Sequence, residues 1–120
     1  MSRQLLDDLR KAAERIRQVE SEARTAIDGG DEARYRQLYA EKVDILLGLT
    51  DLVETHLAYL PEPLADRLAH EVEGFAARAG SAKSLNSIFY MYALLYPDDY
   101  REGDPNDLER FIDRLESRIK

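Results

Sequence analysis

The sequence predicts an all-α fold, a helical bundle of about five helices in a single domain spanning 1–120. Three observations predict it. Apolar residues recur at helical spacing through most of the chain, no segment alternates with period two long enough for a strand, and Gly, Pro and capping residues fall between the periodic runs. The expected architecture is a long antiparallel N-terminal hairpin, with helices over about 3–28 and 31–60. Three shorter helices, over about 63–79, 84–96 and 105–119, pack against it.

The first helix rests on Leu5, Leu9, Ala12, Ile16, Val19, Ala23 and Ala26, spaced 4, 3, 4, 3, 4 and 3, a heptad seam free of Gly and Pro. Such a helix is marginal alone in water and must pack on a neighbour. Asp28-Gly29-Gly30-Asp31 breaks the pattern: the glycines relieve the helix end and Asp31 is placed to cap the next helix. A turn this short makes the two helices antiparallel.

The second helix builds one face from Tyr35, Leu38, Tyr39, Val43, Leu46, Leu49, Val53, Leu57 and Leu60, widened by Ile45, Leu47 and Leu52, and Pro61 stops it. The third opens on Pro61-Glu62-Pro63 and repeats Leu64, Leu68, Val72, Phe75, Ala76 and Ala79 until Gly80-Ser81-Ala82 breaks or kinks it. Ser81 or Ser84 then caps a fourth helix whose stretch Leu85–Tyr96 holds no charge. A helix apolar nearly all round is surrounded by others, so this one is expected to be the central packing element. Asp104-Pro105-Asn106-Asp107 supplies a cap, a proline in the first turn and an acid near the positive helix end. From there the last helix turns Leu108, Phe111, Ile112, Leu115 and Ile119 inward.

Composition limits the function classes. There are 17 Lys and Arg against 24 Asp and Glu, a formal net charge of −7, and no Cys. Disulfides, thiolate metal sites and cysteine nucleophiles are thereby excluded. A surplus of acid disfavours nucleic-acid backbones and anionic membrane surfaces, which bind uncompensated positive charge. Arg110, Arg114 and Arg118 stack one turn apart, but residues 101–120 hold five bases against six acids, so they form a salt-laced surface. The charge-free window Phe89–Tyr96 is far short of the ~18–20 residues a membrane span needs. Residues 1–28 carry acids and bases throughout, unlike a signal peptide. A cytoplasmic protein is expected, with no membrane and no nucleic-acid partner.

Motifs for chemistry are sparse. Carboxylate-bridged metal bundles need Glu-x-x-His, yet Val53 precedes His56 and Arg67 precedes His70 at that spacing. Glu41, Asp44, Asp51 and Glu54 pair at three-residue spacing, but Glu41, Asp44, Gly48, Asp51 and Thr55 share a stripe opposite the apolar face and are expected in water. Ser81, Ser84 and Ser87 lack a nucleophile-elbow signature, and Gly29-Gly30 lacks the Lys-Ser/Thr of a phosphate loop. No metal and no cofactor is expected.

The aromatics are the outstanding feature. Phe89, Tyr90, Tyr92, Tyr96 and Tyr100 crowd twelve residues, and one helix face cannot hide them all. The functional expectation is a non-catalytic protein–protein interaction module, such as an adaptor, chaperone or complex subunit. Its contact residues would be Tyr90, Tyr92, Tyr96 and Tyr100, together with Leu9, Ile16 and Val19 of the first seam. That seam is long enough to serve a second subunit, so a homodimer is expected. The competing expectation is a helical enzyme or small-ligand-binding domain using Glu, Asp and Tyr side chains. It requires Glu71 or Glu73 to converge with acids of the second helix around a pocket.

Overall fold

The computed structural model describes residues 2–119, and every regular element among them is helical: α1 (Ser2–Asp28), α2 (Glu32–Leu47), α3 (Leu49–Leu57), α4 (Glu62–Ser84), α5 (Ile88–Ala93) and α6 (Asp107–Ile119). α1 and α2 form the predicted hairpin. Gly30 adopts φ 81°, the left-handed conformation that closes the turn, and the Asp31 side chain accepts a hydrogen bond from Arg34 N at 3.0 Å. α1 packs against α2, α3 and α6, while α4 covers α2 and α3, and α5 lies across α2 and α4. The molecule measures 48 × 29 × 25 Å. Its accessible surface of 7494 Å² exceeds the roughly 6,600 Å² typical of this mass, as an elongated body requires.

The first seam is buried inside the chain. Leu5, Leu9, Ala13, Ile16, Val19 and Ala23 are all core residues, whereas Ala12 and Ala26 are only half-buried. Five steps from Leu5 to Ala23 cover 18 residues, or 3.6 per step, the period of a straight α-helix. The strict heptad therefore gives way at Ala13: a helix packed among several short neighbours has no partner to supercoil around.

The second arm is divided at Gly48. Gly48 N still donates to Asp44 O at 3.0 Å and Leu52 N to Gly48 O at 3.1 Å, and φ −75°, ψ −10° keep the residue near helical geometry. Counted as one arm, α2 and α3 give the expected five-helix arrangement. An added Cβ at Gly48 would lie 3.4 Å from Asp44 O and 3.5 Å from Ile45 O, ordinary contacts within a helix. Gly48→Ala should therefore stabilise the fold by about 0.5–1 kcal/mol, chiefly by restricting the unfolded chain. Thermal unfolding monitored by circular dichroism checks this, and a lower melting temperature would contradict it.

Four of the expected helices have different bounds in the structure. α3 stops at Leu57, and two turns (Tyr59 N to His56 O, Leu60 N to Leu57 O) carry the chain to Pro61, whose ring disfavours helix in the residue before it. α4 runs through Gly80-Ser81-Ala82 to Ser84, because Ala79 and Ala82 continue its buried face beyond Phe75. It ends where Asn86 takes φ 50°: Ser87 N donates to Ala82 O and Asn86 N to Lys83 O, the paired bonds of a Schellman turn. The fourth expected helix is thereby shortened to the six residues of α5, capped by Ser87 rather than Ser81 or Ser84. At α6 the cap is Asn106 rather than Asp104. Asn106 Oδ1 accepts from Glu109 N at 2.9 Å, while Glu109 Oε1 accepts from Asn106 N at 2.8 Å, a reciprocal capping box. Asp104 instead closes the preceding turn by accepting from Arg101 N.

Candidate functional site

α5 is not the central packing element. Of its six residues only Met91 is buried, while Phe89, Tyr90 and Tyr92 are 71%, 53% and 58% exposed. Phe89 and Tyr92 stand one turn apart, and the Phe89 and Tyr90 rings meet edge to face at 5.7 Å. Tyr92 leans on Tyr39 at 5.8 Å, and Tyr39 on Tyr35 at 5.1 Å, so the aromatic face continues onto α2. Leu85, at the α4–α5 turn, is also exposed.

A six-residue helix cannot hold such a face in place by its own hydrogen bonds. What holds it is Lys42, on α2, which is 0% exposed. Its ammonium has three N–H donors. Nζ lies 2.9 Å from Leu94 O, 3.2 Å from Tyr92 O and 3.0 Å from Glu20 Oε2 of α1. The first two are carbonyls at the C-terminal end of α5, where a helix leaves acceptors free and its dipole favours a cation. The rings of Tyr39 and Tyr96 also lie within 5.4 and 5.1 Å of Nζ. Burial pulls the Lys42 pKa below its ordinary range, and Glu20 opposes that shift.

The network extends past Glu20, whose side chain is 13% exposed. Glu20 Oε1 accepts from Tyr96 Oη at 2.6 Å. Burial, reinforced by that carboxylate, raises the Tyr96 pKa, and burial likewise raises that of Tyr39. Arg17, one turn before Glu20 on α1, forms a bidentate pair with Glu109 of α6 at 2.7 and 3.1 Å and donates to Asp104 O at 3.1 Å. The pairing raises the Arg17 pKa and lowers that of Glu109. Tyr100 Oη donates to Asp104 O at 2.8 Å, and its ring meets Tyr96 edge to face. Leu95, buried between these anchors, is held at φ 77°, a conformation a branched side chain seldom adopts. One chain of charges and hydroxyls thus ties α1, α2 and α6 to the segment that follows α5. Among the described residues Asn106 Nδ2, beside it in sequence and fully buried, has no hydrogen-bond partner.

The seven sequence-predicted contact residues therefore separate into three groups. Tyr90 and Tyr92 are on the surface. Tyr96 and Tyr100 belong to the network, because their hydroxyls are engaged by Glu20 and the Asp104 carbonyl. Leu9, Ile16 and Val19 are 0% exposed within the chain itself, so the seam offers no free face to a second subunit. Lys42, Glu20, Arg17 and Glu109 were not singled out by their sequence positions. A signal was present for Lys42: Tyr35, Tyr39, Lys42, Leu46, Leu49 and Val53 are spaced 4, 3, 4, 3 and 4, which places a lysine on a core seam.

The other candidates remain apart. Glu71 lies 3.5 Å from Arg114 of α6 and Glu73 is exposed, so neither meets acids of α2 around a pocket. Glu41 pairs with Arg15 of α1 at 2.6 and 3.0 Å, and Asp44, Asp51 and Glu54 are exposed. His56 Nε2 stands 3.5 Å from Asp8 Oδ2. No group of three or more potential metal-ligating side chains is found among the described residues. No helix among them is long and apolar enough to cross a membrane. Comparison with family models, curated proteins and solved structures returns no match to this chain.

Proposed function

We propose that this chain is a non-catalytic protein–protein interaction module, an adaptor, chaperone or complex subunit, whose docking surface is the aromatic face of α5. The observation that carries the reading is the exposure of Phe89, Tyr90 and Tyr92 on a helix braced from beneath by Lys42. Exposed clusters of large aromatic side chains are uncommon away from contact surfaces, and Tyr and Phe carry much of the energy where proteins meet. A rigid face also loses less conformational entropy on binding than a mobile one.

Affinity capture from native lysate tests it, with wild type compared against Phe89→Ser/Tyr90→Ser. Both rings are largely in water, so the double variant should keep its stability to within about 0.5 kcal/mol while losing the specific partners. Equal recovery of the same partners by a folded double variant would reject the reading.

A further inference from the structure

α5 is followed at once by a segment of opposite character. Residues 85–96 hold no charged side chain, whereas 97–107 hold Asp98, Asp99, Glu102, Asp104 and Asp107 against Arg101 alone. Carboxylates at the helix junctions have cationic partners: Glu20 has Lys42, Glu41 has Arg15 and Glu109 has Arg17. Asp98, Asp99 and Glu102 are exposed and make no ion pair among the described residues. The loop that carries them is fixed at both ends, by Lys42 on the carbonyls of Tyr92 and Leu94 and by Arg17 and Tyr100 on the carbonyl of Asp104. The aromatic face and the uncompensated acids thus follow one another along one braced segment of the chain.

We infer that this surface receives a basic amphipathic segment of a partner protein, its apolar side chains covering Phe89, Tyr90 and Tyr92 while its Lys or Arg residues pair with Asp98, Asp99 and Glu102. The inference rests on the docking reading above and adds the partner's chemistry. Apolar contact with the rings supplies most of the affinity, and a cation can also lie over a tyrosine face. The acids that follow α5 attract a basic partner, speed its approach and reject acidic competitors. A second copy fits poorly, since a two-fold contact pairs this patch with itself and the patch offers its acids no base besides Arg101. An anionic bilayer is repelled by them as well.

The probe is a fluorescent amphipathic Leu/Lys helix of about 18 residues, ~27 Å long, titrated into the intact chain and followed by anisotropy. A sister peptide carries Glu at every Lys position. The Lys peptide should bind and the Glu peptide should not. Asp98→Asn/Asp99→Asn/Glu102→Gln should weaken the Lys peptide by about tenfold and flatten its salt dependence. Phe89→Ser/Tyr90→Ser should weaken it at least as much, with circular dichroism melts confirming that both variants fold. Equal binding of the two peptides, or of the Lys peptide to wild type and the acid-neutralised variant, overturns the inference. The docking reading then still stands or falls by lysate capture alone. Binding of the Lys peptide that ignores Phe89→Ser/Tyr90→Ser also overturns it. So does co-flotation with phosphatidylcholine vesicles, or dimer formation in light scattering, if either is abolished by Phe89→Ser/Tyr90→Ser.

Discussion

Lys42→Met should lower stability by about 3–5 kcal/mol, enough to reduce the melting temperature by roughly 10–20 °C. Methionine keeps the length of the side chain and its packing among Tyr39 and Tyr96, so the loss isolates the ammonium. Three acceptors lose their donor together: the Glu20 carboxylate and the carbonyls of Tyr92 and Leu94. Removing one partner of a buried ion pair costs far more than the pair contributes, because the remaining charge has no solvent to return to. Among the described residues Glu20 then retains the Tyr96 hydroxyl alone. Glu20→Gln/Lys42→Met should therefore be more stable than the two single losses added together, since neither charge is then left alone. Urea unfolding of the four proteins gives the coupling directly. A Lys42→Met loss below about 1 kcal/mol would mean that the ammonium behaves as a surface charge, which contradicts its burial.

Ile16→Asp is expected to cost a similar amount, about 3–5 kcal/mol, by a different route. Ile16 is 0% exposed at the middle of α1, flanked on the same face by Ala13 and Val19. A carboxylate there has no partner and displaces apolar contact as well. Ile16→Val removes one methylene and should cost about 0.5–1.5 kcal/mol, so the pair separates lost packing from buried charge. If α1 instead reserved this seam for a second subunit, dilution would expose Ile16 and the two substitutions would hardly differ in the monomer. Denaturation repeated across a concentration series distinguishes these cases: a midpoint independent of concentration places Ile16 in the core of one chain.

Much of the fold was legible because its signals are local. α1, the Gly29-Gly30 turn, the Asp31 cap and the apolar face of α6 each follow from residues within a turn or two of one another. Failures arose where distant residues decide. The uncharged run Leu85–Tyr96 reads as a buried helix of more than three turns, yet Asn86 ends α4 late and Lys42, some fifty positions upstream, takes the carbonyls at the end of α5. The run without charge spans both sides of the surface: Met91 and Leu95 are buried, whereas Phe89, Tyr90 and Tyr92 are in water. Glu20 and Arg17 look like ordinary charges beside the α1 seam, and only the fold brings Tyr96, Asp104 and Glu109 to them. The division at Gly48 is local, but it changes so little of the hydrogen bonding that the helical period runs straight through it. Of the aromatic residues that sequence singled out on this segment, Tyr90 and Tyr92 face water, whereas the Tyr96 and Tyr100 hydroxyls belong to the network. The charged members of that network, Lys42, Glu20, Arg17 and Glu109, are the ones it missed.

Hydrogen exchange on Lys42→Met tests the dependence of the aromatic face on the buried lysine most directly. The amides of Leu94, Tyr96 and Asp107 are bonded to Tyr90 O, Ala93 O and Leu95 O, along the segment that Lys42 secures. Under conditions where the variant remains folded, these amides should lose protection by a factor of ten or more, while those in the middle of α1 and α4 change only with global stability. Uniform loss across all helices, or unchanged protection at Leu94 and Tyr96, would show that α5 keeps its place without Lys42.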